Sequence, residues 1–318
     1  MIRLRKPLMM VAALAMALLP IDMWARGADV IEHEGNVNLI LCNDLGRNGY
    51  YRQKPMAEMM GEVADSVDVQ AVLALGDVHH FDGVASTADP LWLTNYELIY
   101  THPALMIPWH PVLGNHEYRG NTQAVLDYGK VSRRWQMPGR YYSKLFTEGD
   151  VTVKVVFIDT TPLIDKYRAN SETYPDAGRQ DLEAEMQWLE GELRDRHGAD
   201  WMVVVGHHPI YADTPKDSSE RADMQRRVGA MIKRCSGVDM YVCGHIHNFQ
   251  HINNAELGVD CVVNSAASLS RKKVATVEGT QYCNGDEGFS VLSASKSNLT
   301  LYMVNYEGRV LHRVECGH

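Results

Sequence analysis

The stretch that decides the fold reads Val72-Leu73-Ala74-Leu75-Gly76-Asp77-Val78-His79-His80. Its apolar run is typical of a short buried β-strand, and a glycine and a carboxylate follow at once. In α/β proteins, functional side chains gather just beyond the carboxyl ends of the strands. The segment therefore predicts a strand that carries Asp77 and the histidines after it to a functional edge of a sheet.

Four more segments repeat this arrangement. In each, an apolar run ends and metal-binding residue types follow: residues 39–46 with Asp44, 111–117 with Asn115, 203–209 with His207, and 241–247 with His245 and His247. Each segment alone is weak, since a glycine before a polar residue usually marks a turn. Five strand ends that deliver Asp, Asp, Asn, His and a His pair have little reason to recur in a purely structural sequence. Together they predict a metal site.

This mixture of side chains suits two metal ions. A carboxylate shared between two ions can fix their spacing, while imidazoles and an amide oxygen complete the coordination. Two such ions can clamp the attacking and leaving oxygens of a displacement at phosphorus and lower the pKa of a bound water. The sequence thus predicts hydrolysis of a phosphate ester by a metal-activated hydroxide.

The rest of the chain predicts a single α/β domain. Strands are predicted at residues 37–42, 71–75, 151–158, 201–205, 238–243, 259–263, 289–293, 299–304 and 310–314. Apolar stripes with helical spacing occur at residues 56–63, 182–193 and 224–232, the last with Ser218 or Ser219 as the expected cap. The late strands, with no helices between them, are expected to be antiparallel.

The N-terminus has the layout of a secretory signal peptide, residues 1–27. Basic residues precede an apolar run at about residues 7–20, and Ala25-Arg26-Gly27 offers a cleavage site. The run is shorter than the ~20 residues that span a bilayer, so we expect export rather than a membrane anchor. The mature domain is then residues 28–318, in a periplasmic or extracellular location.

The net charge and the cysteine content limit the classes of binding partner and of disulfide that we expect. The net charge is −9, and cleavage would remove four basic residues and one acidic residue. An acidic surface disfavours nucleic-acid binding, which needs many phosphates neutralised, so we expect a small phosphorylated substrate. Six cysteines are too few for a disulfide framework in 318 residues, although Cys283 and Cys316 could pair after export.

The motifs, taken in order, resemble the metallophosphoesterase superfamily. They are Asp-x-Gly at 44–46, Gly-Asp at 76–77, Gly-Asn-His-Glu at 114–117, Gly-His-x-Pro at 206–209 and Gly-His-x-His at 244–247. Residues 132–138, 141–142, 158–160 and 243–250 are further similar to segments of the small purple, or tartrate-resistant, acid phosphatases. The resemblance covers residues 36–314. It implies a four-layer α-β-β-α sandwich of two mixed β-sheets and an acid-phosphatase-like activity.

The resemblance also implies roles for individual residues. One metal would be bound by Asp44, the bridging Asp77, the residue three positions beyond it, and His247; the other would be bound by Asp77, Asn115, His207 and His245. His116 would face the substrate and help to protonate the leaving oxygen, with Asn115 beside it. Glu117 would orient the His116 imidazole.

The sequence departs from the purple acid phosphatases at one predicted ligand. Those enzymes have a tyrosine three residues after the bridging aspartate, whereas this chain has His80. His79 is a rival, but neighbouring side chains of an extended segment point in opposite directions, so we do not expect both to bind the same ion. We favour His80, which has the position of that tyrosine. A neutral imidazole should favour divalent ions, with Fe, Zn or Mn as candidates, and should remove the purple colour. Gly46 stands where the wider superfamily often has a histidine.

Three interpretations of function remain open. The preferred one is an exported phosphomonoesterase; the alternatives are a phosphodiesterase or nucleotidase on the same site, and a protein that binds metal or phosphate without catalysis. His208 either contacts the substrate or is an ordinary histidine, and Asp213 and Lys216 receive no role. The sequence does not fix the oligomeric state.

Overall fold

A computed structural model describes residues 35–317, which form two β-sheets flanked by helices. The predicted signal peptide lies outside the described residues. The strands are β1 Val37–Cys42, β2 Ala71–Ala74, β3 Trp109–Pro111, β4 Tyr142–Glu148, β5 Val151–Phe157, β6 Trp201–Val205, β7 Met240–Cys243, β8 Phe249–Asn253, β9 Asp260–Val263, β10 Thr280–Asn284, β11 Gly288–Ala294, β12 Asn298–Asn305 and β13 Val310–Gly317.

Along the sequence, each α-helix lies in a connection between two strands. They are α1 Gln53–Ser66, α2 Thr122–Asp127, α3 Asp165–Ala169, α4 Leu182–Arg194, α5 Ser218–Met224 and α6 Ala230–Cys235. A π-helical turn, Gln225–Gly229, joins α5 to α6. None of the helices between residues 35 and 317 combines the length and apolar character that a membrane span requires.

Both sheets are mixed, as the resemblance implies. The first has the order β13-β12-β11-β1-β2-β3, and the second has the order β10-β8-β9-β7-β6-β5-β4. Strands β1, β2 and β3 are parallel to one another, as are β5, β6, β7 and β9. Because β1, β6 and β7 are buried along their whole length, they appear in the sequence as nearly continuous apolar runs.

The predicted strands are present with small shifts at their ends. The late strands β11, β12 and β13 are antiparallel neighbours, which confirms the expectation for the C-terminus. The cap of α5 was predicted wrongly: the carboxylate of Asp217, not Ser218 or Ser219, accepts the N–H of Ser219. All six cysteines are free, including Cys283 on β10 and Cys316 on β13.

Candidate metal centre

The candidate site lies where the carboxyl ends of strands from both sheets meet. Asp44 follows β1, Asp77 follows β2, Asn115 follows β3, His207 follows β6, and the pair His245 and His247 follows β7. Asp44, Asp77, His245 and His247 all have positive φ, between 52° and 71°. Left-handed backbone is costly for residues other than glycine, and such strain concentrates at functional sites. The turns after these strands are therefore shaped to aim side chains inward.

Asp77 is the centre of the cluster. Its Oδ1 accepts a hydrogen bond from the His116 N–H at 2.9 Å. Its Oδ2 lies 3.2 Å from His207 Nε2, 3.5 Å from His80 Nε2 and 3.8 Å from His116 Nε2. One oxygen is thus held by the protein backbone, and the other faces three imidazoles, as a bridging carboxylate requires.

The two carboxylate oxygens of Asp44 also have different kinds of partner. Its Oδ2 accepts the N–H of His245 at 2.9 Å and the amide N–H of Asn43 at 2.6 Å. Its Oδ1 lies 2.8 Å from His247 Nε2 and 3.9 Å from His80 Nε2. The free oxygen of Asp44 therefore faces a second group of imidazoles next to Asp77.

The carboxylates are ionised although they are buried. Burial alone would raise the pKa of Asp44, but His247 and His207 hold it well below its usual range. Burial of Asp77 is likewise opposed by His207, His116 and His80, which hold its pKa low. Burial disfavours a charged His207, yet Asp77 and Asp44 raise its pKa to about 9. A cation at this centre would replace that proton, since a metal binds neutral imidazole.

Backbone carbonyls orient three of the imidazoles. The Nδ1–H groups of His207, His247 and His116 donate to the carbonyl oxygens of Leu75 at 2.8 Å, Leu269 at 2.8 Å and Phe81 at 2.6 Å, respectively. In the neutral form of each ring, the Nε2 then carries the lone pair. Such outer hydrogen bonds fix the tautomer of metal-binding histidines.

His245 is oriented by a carboxylate instead. Its Nδ1 lies 3.3 Å from His207 Nε2, while its Nε2 lies 3.0 Å from Glu220 Oε2 at the start of α5. Lys216 contacts the same imidazole, with Nζ 2.9 Å from Nε2 and 2.7 Å from the His245 carbonyl. Sequence reasoning missed Glu220 and left Lys216 without a role, because neither belongs to a strand-end motif. Their contacts span 25 and 29 residues of sequence.

The side chains present fit metal ions. Among the described residues, His80 Nε2 and Asn115 Oδ1 are buried without a hydrogen-bond partner. Buried polar atoms without partners are costly, so a missing partner is expected at each of them. Donor atoms lie within 4.8 Å of one another in the groups Asp44-His80-His247 and Asp44-Asp77-His207. Carboxylates, imidazoles and one amide suit a dinuclear centre of Fe, Zn or Mn.

His80 and His79 have different surroundings in the structure. His80 joins the cluster beside both aspartates. The His79 ring packs edge-on against Trp92, with centroids 4.3 Å apart, and its Nδ1 lies 3.4 Å from the Asn95 amide. Burial lowers the pKa of His79 to about 3, which makes it a neutral core residue. The geometry therefore supports the choice of His80 as the ligand.

Gly46 explains how His80 takes this position. A Cβ atom on Gly46 would lie 2.8 Å from the backbone nitrogen of His80 and 2.9 Å from the Cα of His79. The loop after β1 therefore packs directly on the loop after β2. A histidine at position 46 would collide with that backbone, so the imidazole enters from position 80 instead.

Glu117 corrects a second prediction. Its Oε2 accepts the backbone N–H groups of Asp77 and Gly114, both at 2.8 Å, and its Oε1 accepts that of His79 at 3.0 Å. The His116 imidazole is held by the Phe81 carbonyl instead. Glu117 therefore ties together the loops that carry Asp77 and Asn115, and its predicted role in orienting His116 is wrong.

The predicted substrate contact of His208 is not supported. His208 is completely buried, and its Nδ1 lies 2.8 Å from the Thr160 hydroxyl. Its ring packs against that of His245, with centroids 4.3 Å apart. Thr160 also accepts the backbone N–H groups of His207 and His208. His208 thus supports His245 from behind. Asp213 instead accepts the N–H of Ala275 in a neighbouring loop.

Comparison with known proteins agrees with this geometry. The model of the calcineurin-like phosphoesterase family matches residues 37–249. Purple acid phosphatase 3 of Arabidopsis thaliana is 30% identical over 291 residues, which cover 88% of this chain and 77% of that protein. Tartrate-resistant acid phosphatase type 5 of Oryctolagus cuniculus is 29% identical, over 69% of this chain and 67% of that protein.

A solved structure shows the same fold at lower identity. The protein described as GAP50, the anchor in the inner membrane complex of Plasmodium, superposes with a TM-score of 0.75 and 22% identity over 89% of both chains. The family match spans β1 to the start of β8 and includes every strand end that carries a predicted ligand. The chain belongs to the calcineurin-like phosphoesterases, is homologous to the purple acid phosphatases, and is a metal-dependent phosphoric ester hydrolase.

Proposed function

We propose that this protein is an exported phosphomonoesterase that acts on small phosphorylated molecules. The observation that carries the proposal is the position of His116. The side chains of Asp44, Asp77, His80 and His207 are at most 2% exposed, whereas that of His116 is 15% exposed. A substrate that approaches the buried cluster from solvent meets His116 first.

The metal ions and the protein side chains would contribute different parts of the catalysis. Two bound ions would supply a water of lowered pKa and neutralise charge on the phosphoryl oxygens. Asp77 and Asp44 hold the positive charge in place, and Asn115 offers an amide next to His116. Burial lowers the pKa of His116, although Asp77 opposes this effect. The protonated form of His116, which can donate to the leaving oxygen, therefore grows as the pH falls into the acid range.

Charge favours a monoester over a diester. Two divalent ions and the carboxylates Asp44 and Asp77 together leave two positive charges, and a bound hydroxide would reduce this to one. A phosphomonoester dianion is attracted to such a positive centre more strongly than a phosphodiester, which carries a single negative charge. Electrostatic complementarity at the site of charge development is the main source of catalysis in such enzymes. Export through residues 1–27 would place this activity in the periplasm or outside the cell.

The proposal is tested with p-nitrophenyl phosphate and bis(p-nitrophenyl) phosphate. Purified protein is stripped of metal, supplied with Fe, Zn or Mn, and assayed from acid to alkaline pH. Metal-dependent turnover that is faster for the monoester supports the proposal. Faster turnover of the diester would make the protein a phosphodiesterase. No turnover with any metal would leave a binding role, such as the anchor role given to the Plasmodium protein.

Two substitutions test the site itself. Asp77→Asn should abolish metal binding and activity together, since Asp77 faces both groups of imidazoles. His116→Asn should keep both metals and reduce turnover by ~10²-fold or more. His197→Asn, at an exposed histidine whose side chain is 50% accessible, is the matched control. Loss of metal in the His116→Asn protein would contradict the role given to His116.

Export is tested separately. Sequencing the N-terminus of protein recovered from the periplasm or the medium should give a start near residue 28. A mature chain that still begins at Met1 would contradict cleavage.

A further inference from the structure

Two buried carboxylates lie outside the metal centre and have no role in it. Asp159 follows β5, and Glu185 lies in the first turn of α4. Asp159 is completely buried, and Glu185 is 2% exposed. Carboxylates are almost never fully buried unless they are paired, so the partners of these two side chains indicate what the pair does.

Asp159 has a hydrogen-bond partner at only one of its two oxygens. Its Oδ2 accepts the hydroxyl hydrogen of Tyr118 and lies 4.0 Å from Arg140 Nη1. Its Oδ1 is buried without a hydrogen-bond partner among the described residues. The backbone N–H of Asp159 donates to Glu185 Oε1 at 2.9 Å, which brings the second carboxylate next to the first. An unpartnered carboxylate oxygen beside a second carboxylate points to a missing cation.

The charges around these carboxylates do not balance. Arg140 pairs with Asp176, with Nη2 2.5 Å from Oδ2, and its Nη1 donates to the Tyr118 hydroxyl at 3.1 Å. The guanidinium is therefore engaged mainly by Asp176. Three ionised carboxylates, of Asp159, Asp176 and Glu185, and one guanidinium leave two negative charges. One divalent cation would neutralise them.

Both carboxyl groups are hard to ionise without such a cation. Burial raises the pKa of Asp159 to about 7, although Arg140 and Tyr118 lower it. Burial, and then the neighbouring Asp159, raise the pKa of Glu185 well above its usual range. A cation beside both groups would favour their ionised forms, because an opposite charge opposes the effect of burial.

A pocket of about 360 Å³ opens at these two carboxylates. Its lining includes Asp159, Glu185, Asp181, Gln180 and Tyr141. This space is large enough for an ion that keeps several of its waters. The carboxylate, amide and phenol groups of these side chains offer oxygen ligands, which Ca²⁺ accepts in numbers of six to eight and in flexible geometry.

The pocket is connected to the metal centre through two loops. Thr160 directly follows Asp159, and its hydroxyl accepts the backbone N–H of His207 at 3.2 Å. Tyr118, which donates to Asp159, directly follows Glu117. A cation bound at Asp159 would therefore stabilise two loops that support the metal centre.

We propose that Asp159 and Glu185 bind a divalent cation of the Ca²⁺ type, at a site separate from the catalytic centre. Oδ1 of Asp159 and Oε2 of Glu185 are its ligands from the two carboxylates, and water completes the coordination. The cation stabilises the folded protein and takes no part in hydrolysis. With two carboxylate ligands, the Kd is on the order of 10⁻⁴ to 10⁻³ M.

The first test measures thermal unfolding of the zinc-loaded protein in about 10 mM calcium chloride and in sodium chloride of equal ionic strength. Zinc fills the catalytic centre first, so added Ca²⁺ reports on the second site. Ca²⁺ should raise the midpoint of unfolding by about 2 °C or more, whereas sodium chloride should not. No rise in calcium chloride, or an equal rise in both salts, would overturn the proposal.

Two substitutions assign the effect to this pocket. Asp159→Asn and Glu185→Gln each remove one charge and keep the size of the side chain. In calorimetric titrations of the zinc-loaded proteins, both should bind Ca²⁺ about ten-fold more weakly or worse. Glu183→Gln, on the exposed face of the same helix, removes a charge outside the pocket and should keep the full affinity. Unchanged affinity in Asp159→Asn and Glu185→Gln would overturn the proposal.

Terbium luminescence gives a readout that needs no variant. Tb³⁺ occupies Ca²⁺ sites and emits when a nearby aromatic ring absorbs the exciting light. Tyr141 lines the pocket, and its ring centroid lies 4.8 Å from that of Trp188. Tb³⁺ bound to the zinc-loaded protein should emit on excitation of these rings, and Ca²⁺ should remove the emission. Emission that Ca²⁺ leaves unchanged would overturn the proposal, whatever the protein hydrolyses.

Discussion

At position 80 an imidazole stands beside Asp44 and Asp77, in a place where the purple acid phosphatases have a tyrosine. A phenolate adds a negative charge to a metal site, whereas a neutral imidazole adds none. The site with His80 therefore has less anionic charge with which to stabilise a trivalent ion. Imidazole is a good ligand for divalent Fe and Zn, so we propose that the substitution shifts the preference of the first metal site toward divalent ions.

Replacing this histidine by tyrosine should reverse the shift. His80→Tyr, loaded with ferric iron, should show a visible absorption band from the iron–phenolate pair, whereas the unmodified protein should show none. Visible spectra of the two iron-loaded proteins make the comparison. His80→Phe is the matched control, because it adds the ring without the hydroxyl. A band in the unmodified protein would mean that another tyrosine reaches the metal.

Backbone strain at the site is also located at single residues. Asp44 and Asp77 have φ of 53° and 52°, and Gly76, which precedes Asp77, has φ of 86°. A Cβ on Gly76 would lie 2.6 Å from His207 Nδ1, so glycine there allows the loop after β2 to touch the loop after β6. The two sheets can approach each other at this point only because the side chain is absent.

At the scale of elements, helix α5 connects the metal centre to the outer layer. Glu220 in its first turn contacts His245 and also accepts the hydroxyl of Tyr167 at 2.8 Å. The helix thus aims a carboxylate at the back of an imidazole. Carboxylates in this position raise the basicity of a metal-binding histidine and hold its ring in place.

Removing the negative charge of Glu220 should weaken the binding of one metal and leave the binding of the other unchanged. Glu220→Gln keeps the hydrogen bond but loses the charge, so the affinity of the metal held by His207 and His245 should fall by about ten-fold or more. Chelator competition, with metal content measured per protein, gives the affinities at both sites.

Glu183→Gln, on the exposed face of α4, is the control for the loss of a carboxylate. Equal affinities in Glu220→Gln and in the control would show that Glu220 has only a structural role. A loss shared equally by both metals would contradict the assignment of Glu220 to His245.

The strands also show which parts of the fold could be predicted from the sequence. Strands β1, β2, β6 and β7 are buried on both faces, so their apolar runs identify them and the polar residues beyond them. Strand β10 was not predicted because it has no fully buried residue, and β3 has only three residues. Glu220 and Thr160 reach the site through contacts distant in sequence, which no local pattern records.

At the scale of the whole molecule, the centre exists only because two sheets pack together. Asp44, Asp77 and Asn115 come from the first sheet, and His207, His245 and His247 come from the second. Two metal ions shared among these residues would link both sheets, and the unfolded chain does not assemble this site. Ligands that bind only the folded state stabilise it in proportion to their affinity.

Stability toward acid is set partly by a histidine remote from the centre. His110 on β3 is 7% exposed and packs against Phe146, with ring centroids 5.4 Å apart. Burial, with a contribution from Lys144, lowers the pKa of His110 to about 4. The unfolded chain has the ordinary histidine pKa of about 6.5, so between these values it binds more protons than the folded chain.

The free energy of unfolding should therefore fall as the pH drops from about 6.5 to about 4, with a contribution from His110 of about 1.4 kcal/mol per pH unit. Urea unfolding at several pH values measures the slope. His110→Gln should lose this part of it, whereas His197→Asn, at an exposed histidine, should keep it. An unchanged slope in His110→Gln would mean that His110 is already charged in the folded protein. The loss of stability in acid would then arise from other groups, the buried His79 first among them.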